Sequence, residues 1–412
     1  MILSSVSRRV PLCLAVLALA GCAQPKVIHS DPLAAFQDTR WAAWMADSTI
    51  ARHPNPALME DAKPAWRYSS SFAVHAIARL GVETGEQKYV DYANRYVDPF
   101  IEDNGAIGHD SYNPKKYRLD DVVPGRVLLL LHEQTRDPRF LVGPRQLTEQ
   151  LKTQPRTSDG GYWHKQIYPH QMWLDGIFMD CPFMVEFARR ANEPAWYDEA
   201  AKQILTIARH THDPRTGLYY HGYDESRREK WANPQTGTSQ CFWGRAVGWY
   251  ALGIVETLRT LPADHPRRGE VLDVFQRLAE AITKVQDEKT GLWWQVLDQP
   301  DREGNYLESS ASSMFVYALA AGARHGYLDR KYAPIARRGY QGMLRHFIET
   351  DPATGQVSLK DTCQVAGLGG RPYRDGSYAY YIREPRISND PKGVAPFILA
   401  AMEMERKGKR KN

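Results

Sequence analysis

The chain has 412 residues, a formal charge of +5, 43% hydrophobic residues and 25% charged ones, the profile of a folded globular protein large enough for one big domain or two to three ordinary ones. The mild charge, with no basic stripe interleaved with aromatics, argues against nucleic acid as a partner. The 11 Trp, 22 Tyr and 12 Phe suit either a large helical core or a cleft that stacks on flat ligand faces.

At the N-terminus, Arg8-Arg9 precedes the apolar run Pro11–Ala20, a secretory pattern too short to span a membrane comfortably. Leu19-Ala20-Gly21-Cys22 resembles the bacterial lipobox, so residues 1–21 are expected to be a lipoprotein signal peptide with Cys22 the lipidated residue. A plain signal peptide with a coincidental cysteine is the alternative. Lipid chains would anchor the protein to a membrane surface without a spanning helix. The expected location is the bacterial cell envelope, and Ala23, rather than Asp, points to the outer membrane. Residues 22–35, with Pro25 and Pro32, read as a tether, residues 36–405 as one domain, and residues 406–412 as a solvated basic tail. Cys181, Cys241 and Cys363 are widely spaced with no CxxC pattern, so three buried free thiols are expected.

Further along, Phe72–Leu80, Val122–Thr135, Cys181–Ala191, Ala246–Leu261 and Val271–Val285 carry apolar residues at three- and four-residue intervals and predict helices. Two connector types alternate between them. One is short, as in Thr84-Gly-Glu-Gln-Lys-Tyr89 and Gly326-Tyr-Leu-Asp-Arg-Lys-Tyr332. The other is a longer aromatic loop opened by Asp-x-x-Thr-Gly, as in Asp213–Tyr220, Asp287–Trp294 and, degraded, Asp351–Gly355. A period of roughly 50–75 residues describes stacked helical hairpins. About six fit the length, and unequal repeats with rich loops on one side favour closure into an all-α barrel, (α/α)6, over an open superhelix.

Asp175 interrupts the apolar run His170-Gln-Met-Trp-Leu-Asp-Gly-Ile-Phe-Met-Asp180, on a helical face shared with Met172, Met179 and Phe183. It reads equally as an N-cap before Gly176 or as a carboxyl group kept in an unusual protonation state. Of Asp120 and Asp121, one is expected to cap the helix running to Thr135, leaving the other without a structural duty. Trp163-His-Lys-Gln-Ile-Tyr168 sets His164 and Lys165 between aromatics, and His221 ends an aromatic loop. In Phe242-Trp-Gly-Arg-Ala-Val-Gly-Trp-Tyr250, Arg245 and Trp249 are one turn apart with Trp243 close by. Taken singly, each has a bland reading as core filler or a solvated charge. There is no GxSxG, HExxH or glycine-rich phosphate loop, and no metal or cofactor is expected.

Together these motifs resemble the unsaturated rhamnogalacturonyl hydrolases (glycoside hydrolase family one hundred and five), relatives of the unsaturated glucuronyl hydrolases. The resemblance runs from about Trp66 to Glu405 and rests on Trp66-Arg-Tyr68, Leu119-Asp120, Gly161-Tyr-Trp-His-Lys165, Tyr168–Gly176, Tyr220-His221, Phe242–Arg245 with Gly248-Trp249, Glu308-Ser309 and Asn389-Asp-Pro-Lys-Gly393. It implies an (α/α)6 barrel with Asp175 as general acid/base and Asp120 as second carboxylate. Tyr68, His164, Lys165, Tyr168, His221, Trp243, Arg245 and Trp249 would then line a sugar pocket, Tyr68 and the loop Cys363–Gly370 being the weaker matches. The implied substrate is a lyase-generated oligosaccharide, an unsaturated rhamnogalacturonan disaccharide being the first choice. The implied reaction is hydration of its C4=C5 uronate without cofactor, by a monomer or weak dimer. Burial and the like charge of Asp120 are expected to raise the Asp175 pKa above its ordinary value of about 3.9. An inverting glycosidase on saturated sugars and a non-catalytic glycan-binding surface lipoprotein are the rival readings.

Overall fold

The computed structural model describes Met1 and residues 40–406. The signal segment, Cys22, the tether and the tail from residue 407 onward lie outside the described residues. Thirteen α-helices occur among them: α1 (Trp41–Arg52), α2 (Tyr68–Thr84), α3 (Gln87–Val97), α4 (Gly125–Thr135), α5 (Val142–Lys152), α6 (Leu174–Ala191), α7 (Ala195–Thr211), α8 (Gly244–Leu258), α9 (Arg268–Lys284), α10 (Ser309–His325), α11 (Tyr332–His346), α12 (Tyr378–Arg383) and α13 (Pro391–Glu405). Helices α2, α4, α6, α8, α10 and α13 pack each on the next, and α13 returns to α2, closing an inner ring. The fold is the (α/α)6 barrel expected from the repeats.

Composition separates the two layers. Inner helices are apolar or small almost all round and are buried along most of their length, as in Gly244–Leu258 of α8. Gly253 of α8 lies so close to the Ile177 backbone of α6 that a Cβ would fall 2.9 Å from it. Outer helices bury only a stripe. In α3, Tyr89, Val90, Tyr92, Ala93, Tyr96 and Val97 face inward while Lys88, Asp91 and Arg95 do not. The sixth hairpin is built from both ends of the chain, because α1 packs on α13. The Glu405 carboxylate ties them, accepting from Trp41 N at 2.7 Å and from Tyr340 Oη at 2.9 Å.

Short connectors leave the inner helices through left-handed C-caps, at Gly85 after α2 and Gly326 after α10. In the long ones, the Gly217, Gly291 and Gly355 amides each donate to the carbonyl of the Asp four residues earlier at 2.8 Å. These glycines have φ of +68 to +77°, which explains the recurrent Thr-Gly. Asn233-Pro-Gln-Thr-Gly237 builds the same turn, its Gly237 amide reaching Asn233 O at 2.7 Å. The sequence pattern missed it because Asn stands where the others have Asp.

Among the described residues, three two-stranded antiparallel sheets decorate the loops: β1 (Gln171–Trp173) with β2 (Gly222–Asp224), β3 (Ile348–Thr350) with β4 (Val357–Leu359), and β5 (Thr362–Cys363) with β6 (Arg386–Ile387). In the first, Trp173 pairs with Gly222, and the Leu174 amide donates to His221 O at 2.9 Å. That register carries His221 to the start of α6.

Candidate active site

The starts of five inner helices converge at one end of the barrel. Tyr68 opens α2, Asp175 is in the first turn of α6, Arg245 in that of α8, Glu308 caps α10 and Asp390 caps α13. Charges from Asp120, Arg245, Asp390 and Asp175 all act on the half-buried Tyr68, whose pKa is raised, chiefly by desolvation. Helix α4 is shorter, and the 3-10 turn Leu119–Val122 occupies its place and carries Asp120. Each helix N-terminus contributes about half a positive charge, so this cup favours anions.

Asp175 is not an N-cap. Trp173 takes that position in extended conformation, and Asp175 lies inside the helix. Met172 is on β1, so the apolar stripe anticipated through it is not a continuous helical face. The Asp175 side chain is only 12% exposed, with Oδ2 3.2 Å from Nε2 of the fully buried His221. Neither atom has another hydrogen-bond partner. The other His221 nitrogen, Nδ1, is 2.7 Å from the Tyr381 hydroxyl. Burial alone would raise the Asp175 pKa, but His221, and behind it His164, outweigh burial and hold it below its ordinary value. The expected upward shift is therefore corrected: the neighbouring imidazole was invisible in the local sequence.

Asp120 faces the cup with Oδ2 2.6 Å from Lys165 Nζ and Oδ1 3.5 Å from His164 Nε2. Burial pushes the Asp120 carboxyl up, yet Lys165 and His164 bring it below its ordinary value. Burial also pushes His164 down to about 4, so at neutral pH Lys165 supplies the counter-charge. Neither aspartate caps α4: Pro124 precedes that helix, and Asp121 instead pairs with Arg118 at 2.9 Å.

Aromatic rings build the wall. His164 stacks on Trp173 at 4.6 Å and Tyr168 stacks on it at 4.8 Å, while His221 meets its edge at 5.4 Å. Arg374 clips the loop after β5 onto this stack, donating to Tyr168 Oη at 2.7 Å and to Gly369 O at 2.9 Å. Trp243, Arg245 and Trp249 are fully buried beneath the cup. Trp249 stacks on Phe178 at 4.7 Å and meets the edge of Tyr68 at 6.3 Å. The Arg245 guanidinium lies 5.0 Å from the Trp243 ring and donates to the Cys363 and Gln364 carbonyls. All ten residues singled out for catalysis or sugar binding thus belong to this end, but only Tyr68, Asp120, Lys165, Tyr168 and Asp175 present partly accessible surface of any extent.

Trp173, Tyr381 and Arg374 were missed. Trp173 stands inside the motif that carried Asp175 and was legible there; Tyr381 and Arg374 sit in a C-terminal segment with neither periodicity nor motif. Two matched motifs are caps: Glu308 accepts from the Ala311 amide at 2.6 Å and Asp390 from the Lys392 amide at 2.8 Å. Cys181, Cys241 and Cys363 are buried free thiols. Among the described residues no three His, Cys, Asp or Glu side chains are grouped as metal ligands, and no helix is long and apolar enough to cross a membrane.

Residues 41–407 match the family model of Glycosyl Hydrolase Family 88. A protein of Agrobacterium fabrum is 41% identical over 55% of this chain and 97% of its own length. The unsaturated rhamnogalacturonyl hydrolase YesR of Bacillus subtilis is 28% identical over 82% of this chain and 89% of its own. Among solved structures, a family 105 glycoside hydrolase of C. acetobutylicum superposes with a TM-score of 0.85 at 38% identity, covering 89% of this chain and 99% of that one.

Proposed function

Because the chain belongs to Glycosyl Hydrolase Family 88, we propose that it releases the C4=C5 unsaturated uronate from the non-reducing end of lyase-generated oligosaccharides by hydrating that double bond. The observation that carries the reading is Asp175: a nearly buried carboxyl at the floor of an anion-favouring cup, with one oxygen engaged only by His221. The preferred substrate is an unsaturated rhamnogalacturonan disaccharide, supported by the likeness to YesR.

The unsaturated uronate is an enol ether. Proton transfer from Asp175 to C4 forms a new C–H bond and leaves positive charge shared between C5 and the ring oxygen. Water then bonds to C5 and gives a proton back to Asp175. The resulting C5 hemiketal opens by breaking the C5–ring oxygen bond. C1 is left as a hemiacetal, which expels the neighbouring sugar. Asp175 therefore acts first as acid and then as base.

The lowered pKa of Asp175 is compatible with this sequence. A bound uronate brings a like charge and excludes water, and both changes drive the proton onto Asp175. Asp120, neutralised by Lys165, faces the same space and orients the sugar hydroxyls or the attacking water. A lipid anchor at Cys22 would hold this activity at the cell envelope. The decisive assay incubates the protein with a lyase-generated unsaturated disaccharide and follows the ultraviolet absorbance of the conjugated uronate. Loss of absorbance with release of free sugar is expected. Sugar release with undiminished absorbance would indicate an ordinary glycosidase. Binding without any change in either would indicate a glycan-capturing protein.

A further inference from the structure

The Tyr381 hydroxyl has His221 Nδ1, at 2.7 Å, as its hydrogen-bond partner. Tyr381 is fully buried on α12, its ring stacked on Trp243 at 5.8 Å. Gln295 bridges the two, accepting from Trp243 Nε1 at 3.0 Å and donating to Tyr381 O at 3.0 Å. The phenol is therefore held in one place by contacts independent of His221. A buried hydroxyl that fails to donate leaves a costly unsatisfied proton. Donation to Nδ1 is the arrangement that avoids this, and it requires Nδ1 to be the bare nitrogen of the imidazole. The ring proton is then on Nε2, the atom facing Asp175 Oδ2 at 3.2 Å.

We propose that Tyr381 is a positioning residue that fixes His221 as the neutral Nε2–H tautomer and so directs an incoming proton to Asp175 instead of to the imidazole. Resting on the hydration reading, this deepens it by naming what decides where the acid proton resides. With Nδ1 occupied by the phenol proton, His221 has no free basic nitrogen. The next proton to enter the pair goes to Asp175, the member that reaches the cup. Without the phenol, Nδ1 is free to take that proton, and Asp175 stays ionised beside an imidazolium. The other groups facing the pair are His164 with Asp120 and Lys165 behind it, Tyr68 from α2, and Cys241, Tyr380 and Arg374 around Tyr381. None of them is hydrogen-bonded to His221 Nδ1.

The test is nitrogen NMR of histidine-labelled full chain, with His221 assigned by its loss in His221→Gln, beside kinetics of Tyr381→Phe. In the wild-type protein near neutral pH, His221 is expected as the neutral Nε2–H form. In Tyr381→Phe it becomes an imidazolium, kcat falls about 10–100-fold and KM stays within about twofold, the loss expected when a proton transfer is disabled and binding is spared. Wild-type His221 found as the Nδ1–H tautomer or as an imidazolium overturns the proposal even if the variant does not fold. A variant with unchanged tautomer, or one whose whole loss is in KM, overturns it too. The NMR result does not use the substrate, so a correct tautomer in a protein that leaves the uronate absorbance intact would sink the hydration reading and leave the tautomer assignment standing.

Discussion

The two ends of the barrel hold charged groups in opposite ways. At the end opposite the cup, a cavity of about 420 Å³ is lined by Arg79, Arg126, Arg189, Arg190 and Arg259 with Glu83, Glu133, Glu186 and Glu256. Its charges are spent on one another. Glu256 accepts from Arg79 at 2.8 Å, Arg126 at 2.7 Å and Arg259 at 2.9 Å, and Tyr317 donates to it as well. The single positive excess over the four glutamates faces the C-terminal ends of α2, α6 and α8, whose carbonyls carry negative partial charge. At the cup, His164 Nδ1 and Trp231 Nε1 are buried without a hydrogen-bond partner, and Asp175 Oδ2 and His221 Nε2 have only each other, at 3.2 Å. Toward the far end, His75 Nδ1, His132 Nδ1, Arg190 Nε and Thr257 Oγ1 are likewise buried without one. What separates the ends is the carboxyl: Glu256 is locked among three arginines, whereas Asp175 meets a single imidazole and still reaches the cup.

Four measurements can break or sharpen that contrast. The largest effect is expected at the cup: Asp175→Asn should lose turnover by about 10²–10⁴-fold, as when an acid/base group is removed, with thermal stability close to wild type. Retained turnover would end the assignment. At the opposite end, Glu256→Ala strips the shared partner from three arginines and should cost about 3–5 kcal/mol of stability. Read by denaturant titration, it should leave the activity of the folded fraction intact. A variant that is stable but inactive would mean that the far end serves the reaction.

Lys165→Met should be milder, about tenfold in turnover, because Asp120 loses the cation that holds its carboxyl down. The activity profile should shift upward on its acid side. The smallest effect concerns Asp180, fully buried on α6 with Oδ1 unpartnered and its carboxyl pushed up to about 7 by burial. A raised acid stabilises the fold below its unfolded value, near 4, and that contribution is lost as pH rises through about 7. Glu256 has the opposite sign: its pKa is lowered against burial by Arg79, Arg259 and Arg126, so its contribution is present above the usual glutamate value and lost in acid. Asp180→Asn should therefore gain roughly 1–2 kcal/mol at pH 8 relative to wild type and gain nothing at pH 4, seen in melting curves at the two pH values. An equal gain at both would show that Asp180 does not titrate there.

Sequence by itself determined the barrel, and its resemblance to a family named the residues that gather at the cup. Helical periodicity and the Asp-x-x-Thr-Gly turns are local, since each is satisfied by residues within a few positions of one another, so they survive in the linear order. The residues of Trp163–Tyr168, Tyr168–Gly176 and Phe242–Trp249 stood out only jointly, as the motifs that carry the family resemblance, because each taken singly had a bland reading. Tertiary structure alone decided the partners. His221 reaches Asp175 through the β1–β2 register, 46 positions along the chain, and Tyr381 reaches His221 across a further 160. The protonation state of a buried carboxyl depends on charges within a few ångströms whatever their place in the chain. That is why the apolar neighbours of Asp175 suggested a raised pKa, while the folded chain brings up an imidazole that reverses it. Trp249 and Arg245, which look like a sugar platform and a carboxylate clamp, are turned into the floor by packing against Phe178, Tyr68 and Trp243. Periodicity assigns a face to a side chain; only the ring of six inner helices decides whether that face meets solvent.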